Sequence, residues 1–182
     1  VSARGAERAR DAVQAFLSDA TTGIATRCAA INTDMGDTIL PAAWAIPLRK
    51  GARGGLKLAN ARGAAWLFFV EGDYWEGERT PQAQNYAYTF VVALAVGVGK
   101  NRGNPETMET IVMRLERAVH ECFDAQPPGA AWAGHTLGGR VVSSHLGRLT
   151  ADPDPIIDIG AARAVLLTGP LTVFVQENQG VT

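Results

Sequence analysis

The thirteen residues from Tyr86 to Val98 limit the fold more than any other stretch. Tyr86, Tyr88, Phe90, Val92, Leu94, Val96 and Val98 recur with a period of two, which is the repeat of a β-strand and not of a helix. The alternate positions, Ala87, Thr89, Val91, Ala93 and Ala95, are small or apolar and suit a packed surface. Such a strand belongs inside a sheet with both faces covered, so the rest of the chain has to supply the cover.

Two segments have the pattern to do so. After Asn104, a suitable N-cap, Pro105 and Glu106 open a helix whose stripe is Met108, Ile111, Val112, Leu115, Val119, Cys122 and Phe123, ending at Gln126-Pro-Pro-Gly129. Near the N-terminus, Ala9, Val13, Phe16, Leu17, Ala20, Ile24, Cys28 and Ile31 form one helical stripe from about Ser2 to Asn32. Thr21-Thr22-Gly23 interrupts it and predicts a bend or two helices in series.

Further strands are expected at Ala42–Pro47 (short), Ala65–Glu71, Arg140–Leu149 and Ala161–Gln176. Pro170 inside the last run cannot donate to a ladder, so it marks a sheet edge, a bulge or a break between two strands. The predicted order is α, weak β, β, β, α, β, β. The expected fold is therefore α+β, one domain over residues 1–182: a mainly antiparallel sheet of about four strands packed by two helices, with long inserted loops at about 49–63 and 72–85. No repeat or low-complexity segment interrupts it.

At 182 residues the chain is long enough for one ordinary core, burying roughly 68–70% of its unfolded surface. Its 2 cysteines, Cys28 and Cys122, fall within helical apolar patterns and are expected to be buried, reduced thiols. No apolar run of about 18 residues suggests a membrane span, and the N-terminal charges lack the apolar stretch of an export signal. A formal net charge of −1 argues against a surface devoted as a whole to nucleic acid, although local patches remain.

Two such patches exist. The segment RKGARGGLKLANARG carries Arg49, Lys50, Arg53, Lys57 and Arg62 with no acid among them, and reads as a mobile loop or splayed hairpin. It has three readings: a solvated loop, a contact to an acidic patch on a partner, or attraction for a nucleic-acid backbone. Soon afterwards Glu71, Asp73, Glu76 and Glu78 form an acidic run in a connection, Gly72–Asn85, longer than a hairpin needs. In a ring of identical subunits the basic loop of one copy could meet the acids of the next.

Reactive constellations are sparse. His120, His135 and His145 stand away from any metal-ligand spacing. His120 reads as solvated or capping, and His145 as a partly buried histidine on the strand face of Val141 and Ser143. Neither Ser143 nor Ser144 has the strained turn or positioned base of a nucleophile. Gly97-Val-Gly-Lys-Asn-Arg-Gly103 departs from the dinucleotide fingerprint at Arg102, leaving only Lys100 and Arg102 before a helix N-terminus where an anion could sit. No catalytic, cofactor-binding or metal-binding residue is therefore expected.

The order of elements, and above all the wording Thr136-Leu-Gly-Gly-Arg-Val-Val-Ser-Ser-His-Leu-Gly-Arg-Leu-Thr-Ala-Asp-Pro-Asp154 before a final strand, resembles the tail terminator (tail completion, or neck) proteins of long-tailed bacteriophages. The likeness is clearest over Tyr86 to Val175. In that family a turn like Thr136–Gly139 leads into a strand with an Arg-containing end, here Gly147-Arg148, and an acidic loop precedes the last strand. The resemblance implies a virion protein, assembled in the host cytoplasm, that forms a hexameric ring on the tail tube protein. It would end tail growth and meet the head–tail connector or stopper protein, with passing contact with DNA in the lumen and none with a membrane. It brings no catalytic residue. Other readings are a different neck ring (stopper or adaptor), a tube-related protein, or, in another class, a small hydrolase or ligand-binding domain using Ser143, His145 and an acid such as Asp152.

Overall fold

The computed structural model describes residues 5–46, 62–74, 83–98, 105–124, 136–159 and 162–178. Two helices, α1 (Ala6–Leu17) and α2 (Ile24–Met35), precede β1 (Ala43–Ala45), β2 (Arg62–Tyr74) and β3 (Ala83–Val98). Helix α3 (Pro105–Asp124) and strands β4 (Ser143–Leu146), β5 (Thr150–Ile159) and β6 (Ala162–Asn178) follow. The fold is α+β, with a mixed, mostly antiparallel, curled sheet ordered β1-β2-β3-β6-β4, and β5 beside β6 on the same side as β4. Beyond the expected order of elements it adds strand β5, and the N-terminal helical stripe is divided into α1 and α2.

The interruption at Thr21–Gly23 makes two helices in series. Asp19 closes the first: its Oδ1 accepts from the backbone N–H of Thr21 at 2.8 Å and of Thr22 at 3.0 Å. These bonds favour the charged form and hold the Asp19 carboxyl below its ordinary value. Gly23 is required there, because a Cβ would fall on the backbone carbonyls of Leu17 and Asp19. Helix α2 ends at left-handed Gly36, where Gly36 N–H donates to Thr33 O and Asp37 N–H to Asn32 O, a Schellman closure. The buried Asn32 side chain then clasps Leu40, donating to its carbonyl at 2.9 Å and accepting from its N–H at 3.0 Å.

One face of the sheet carries the main core. Tyr88, Phe90, Val92, Leu94 and Val96 of β3 join Val165, Leu167, Leu171, Val173 and Val175 of β6 beneath the apolar stripes of the helices. Helix α3 lies against α2 and β6, and the Phe16 and Phe123 rings meet at 5.6 Å. The ion pairs Arg114–Asp37 (2.6 Å) and Arg117–Asp34 (3.2 Å) border the α2–α3 contact, and Asp37 is held below its ordinary value chiefly by Arg114. Cys28 and Cys122 are buried and unbridged, and burial pushes both thiols up to about 12. On the opposite face Ala64, Ala95 and Ala164 form a small second cluster with Trp66 and Leu166.

Five expectations about strands need correction. The acidic stretch after Leu149 is strand β5, not loop: it pairs with β6 at Thr150–Ala151 and again at Ile156–Ile159. The register shifts between those pairs, and Pro153 and Pro155 fall in the shifted part, where no ladder donor is demanded. The excursion at 72–85 is shorter than expected, because Gly72, Asp73 and Tyr74 pair with Tyr88, Ala87 and Tyr86 as a continuing hairpin arm. Likewise Arg62 and Gly63, placed by their sequence in the basic loop, open β2 beside Ala43 and Trp44.

Pro170 is neither at an edge nor in a bulge. It lies in the unbroken β6 opposite Val91, and the carbonyl on its other side accepts from Gly147 N–H at 2.8 Å. That side is where β4 hands over to β5, so the donor proline lacks would have pointed into the junction. Strand β4 is also shorter than Arg140–Leu149. Thr136 O accepts from both Arg140 and Val141 N–H, and Leu137, Gly138 and Gly139 all take positive φ (50°, 70° and 81°). Leu137 is fully buried, so core packing offsets its backbone cost, on the order of 1–2 kcal/mol.

Candidate functional site

The sheet changes character along β2. Ala64, Ala65 and Leu67 are buried, whereas Phe68, Phe69 and Val70 are 44%, 55% and 54% exposed. The pairing register with β3 shifts between Phe69 and Glu71, so a bulge at Val70 turns the strand as it leaves the helical cover. Phe69 keeps one contact with the core, an edge-on approach to Phe90 at 5.9 Å. Beyond it, Tyr86 and Tyr88 stack in parallel at 5.9 Å, and Tyr88 covers Gly72 where any Cβ would collide with its ring. The result is an arm of β2 and β3 with three adjacent exposed apolar side chains followed by exposed Glu71 and Asp73.

The outer edge of this arm is open as far as the described residues extend. Strand β1 pairs only with Arg62, Gly63 and Ala64, and among the described residues no strand borders β2 from Ala65 to Tyr74. The opposite edge is formed by β4 and β5, neither of which has a second neighbour among the described residues. Next to β4, Val142 is 45% exposed and Arg140, His145 and Arg148 are exposed.

Of the charged residues singled out from sequence, Glu71 and Asp73 lie exposed on the arm, while Arg62 starts β2. Glu76, Glu78, Arg49, Lys50, Arg53 and Lys57 lie outside the described residues, as do Lys100, Arg102 and His135.

His120 is half-buried on α3, and His145 is exposed on β4, contrary to the expectation of partial burial. The reason is the face: Ser144 and Leu146 pair with Val173 and Leu171 of the core face, so Ser143 and His145 point the other way. Ser143 and His145 are two residues apart on β4 and share the face away from the core, and their side chains are not hydrogen-bonded to each other. Among the described residues no group of three or more His, Cys, Asp or Glu side chains could hold a metal, and no helix is long and apolar enough to cross a membrane.

The sequence does not disclose the apolar edge: Trp66-Leu-Phe-Phe-Val70 is an unbroken apolar run, which is also the pattern of a strand covered on both faces. Geometrically the arm is suited to contact, with exposed apolar side chains on both faces of one edge strand, Phe69 on the helical face and Phe68 on the other, and acids beside them to select the partner's charge. Comparison with protein-family models and with curated proteins finds no match for this chain.

Proposed function

We propose that this chain is a structural subunit of a long-tailed bacteriophage virion, of the tail-terminator kind. It closes into a ring, hexameric by resemblance, on the tail tube, ends tube growth and presents a surface to the head–tail connector or stopper. The observation that carries this reading is the exposed Phe68-Phe69-Val70 strip with Glu71 and Asp73 on an open sheet edge. A subunit whose work is to adhere to copies and neighbours needs such a strip. The segment Thr136–Asp154, on which the resemblance rests, supplies support of a second kind, since it forms the left-handed turn, β4 and the start of β5 at the other edge. DNA in the lumen would then meet whichever charged loops face inward, and the basic run Arg49–Arg62 is the candidate.

Negative-stain imaging of the purified protein beside its native mass tests this. Rings of about six copies are expected. A closed ring of another size would favour a stopper or adaptor, and a monomer at every concentration, with or without tail tubes, would count against the proposal.

A further inference from the structure

The sheet register supports a more specific statement about how copies meet. Three antiparallel pairings separate β2 from β4, so the two edge strands run in opposite senses. Following the pairs across the sheet, Glu71 lies opposite Thr89, Thr89 opposite Thr172, and Thr172 opposite His145. Glu71 and His145 are thus the two ends of one rung, on the face away from the helices. Phe69, Phe90, Leu171 and Leu146 form a neighbouring rung on the helical face.

We propose that a second copy of this chain docks head to tail, its β4 lying antiparallel to the open edge of β2, with His145 beside Glu71 and Leu146 beside Phe69. This deepens the ring reading and rests on it for closure. Rotation about an axis along the strands keeps both the sense and the height of each strand, so the end of a rung in one copy meets the beginning of that rung in the next. Two edge strands that no other described strand borders then continue one ladder.

Charge selects this occupant. Residues 65–74 contain two acids and no base, whereas residues 136–149 contain Arg140, His145 and Arg148 and no acid. Pairing β2 with β2 about a two-fold axis would instead bring Glu71 and Asp73 toward their own copies, and like charges across a strand pair destabilise it. Apolar surface agrees at the neighbouring rung, where the exposed Phe69 is met across the seam by Leu146.

The test joins Glu71→Cys and His145→Cys in one chain and treats the assembled protein with a short bismaleimide. Cys28 and Cys122 stay unreacted because they are buried and their thiols are pushed up to about 12. A ladder of covalent multimers ending at the ring size is expected from the pair, and none from either single variant. His145→Glu should weaken self-association about fivefold, and adding Glu71→Lys should restore it. Dimers from Glu71→Cys alone would overturn the head-to-tail pairing in favour of a two-fold one. Rings that form without a ladder would overturn the pairing and leave the ring standing, whereas a ladder that never closes would sustain the pairing and overturn the ring. A protein that stays monomeric and uncrosslinked overturns both.

Discussion

The two ends of the sheet are built from the same three long strands and behave as different materials. At the end that holds Ala64, Ala95 and Ala164, both faces are buried and the outer positions are alanines. At the arm, the residues that continue the same faces are Phe68, Glu71, Thr89 and Thr172, exposed or half-exposed. Strand length is therefore not a measure of core. One end of β2 is held by what covers it, and the other by its ladder to β3, which leaves apolar side chains available to a neighbour.

The largest test of this division is Leu94→Ala. Leu94 is fully buried between Ala65 and Leu167, so the substitution should cost about 3 kcal/mol in urea unfolding. A loss below about 1 kcal/mol would mean that this end is not the structural one. A sharper comparison sets Ala95→Leu against Thr89→Leu, on the same face at the two ends. Overpacking at Ala95 should cost about 2 kcal/mol, while Thr89, half-buried, should accept the change within about 0.5 kcal/mol.

Asp19→Ala calibrates both, since Asp19 belongs to neither end of the sheet. Losing its two backbone bonds should cost about 1 kcal/mol at neutral pH. The carboxyl is held below its ordinary 3.8, so its contribution is present above that pH and lost as the pH falls through the lowered value. The difference between wild type and variant should accordingly vanish in acid. The smallest expected effect on folding is that of Phe68→Ser, within about 0.5 kcal/mol, accompanied by weaker self-association in concentration-dependent mass measurements. Substantial destabilisation there would erase the distinction between the ends.

Much of the fold was legible because its strongest elements obey simple periods. Strand β3 and helix α3 follow from residues two and three-to-four apart, and the split between α1 and α2 from Gly23. The hidden parts depend on tertiary context. Pro153 and Pro155 have the composition of a loop, and only pairing with β6 on both sides of a register shift makes a strand of them. Pro170 signals discontinuity, and the break proves to lie in its neighbours while β6 runs on. Of the candidate site, Glu71 and Asp73 could be chosen by charge. The apolar strip before them could not be told from core, because exposure at Phe69 depends on where the helices stop.

The junction at Pro170 has a dynamic consequence. Strands β4 and β5 hydrogen-bond to one strand on either side of a residue without a donor, so neither depends on the other's ladder. Amide protons of Ser143–Leu146 can therefore open and exchange as their own small unit while the β5 pairing stays closed. Docking of another subunit against β4 would slow that exchange selectively, reporting assembly from within a single strand.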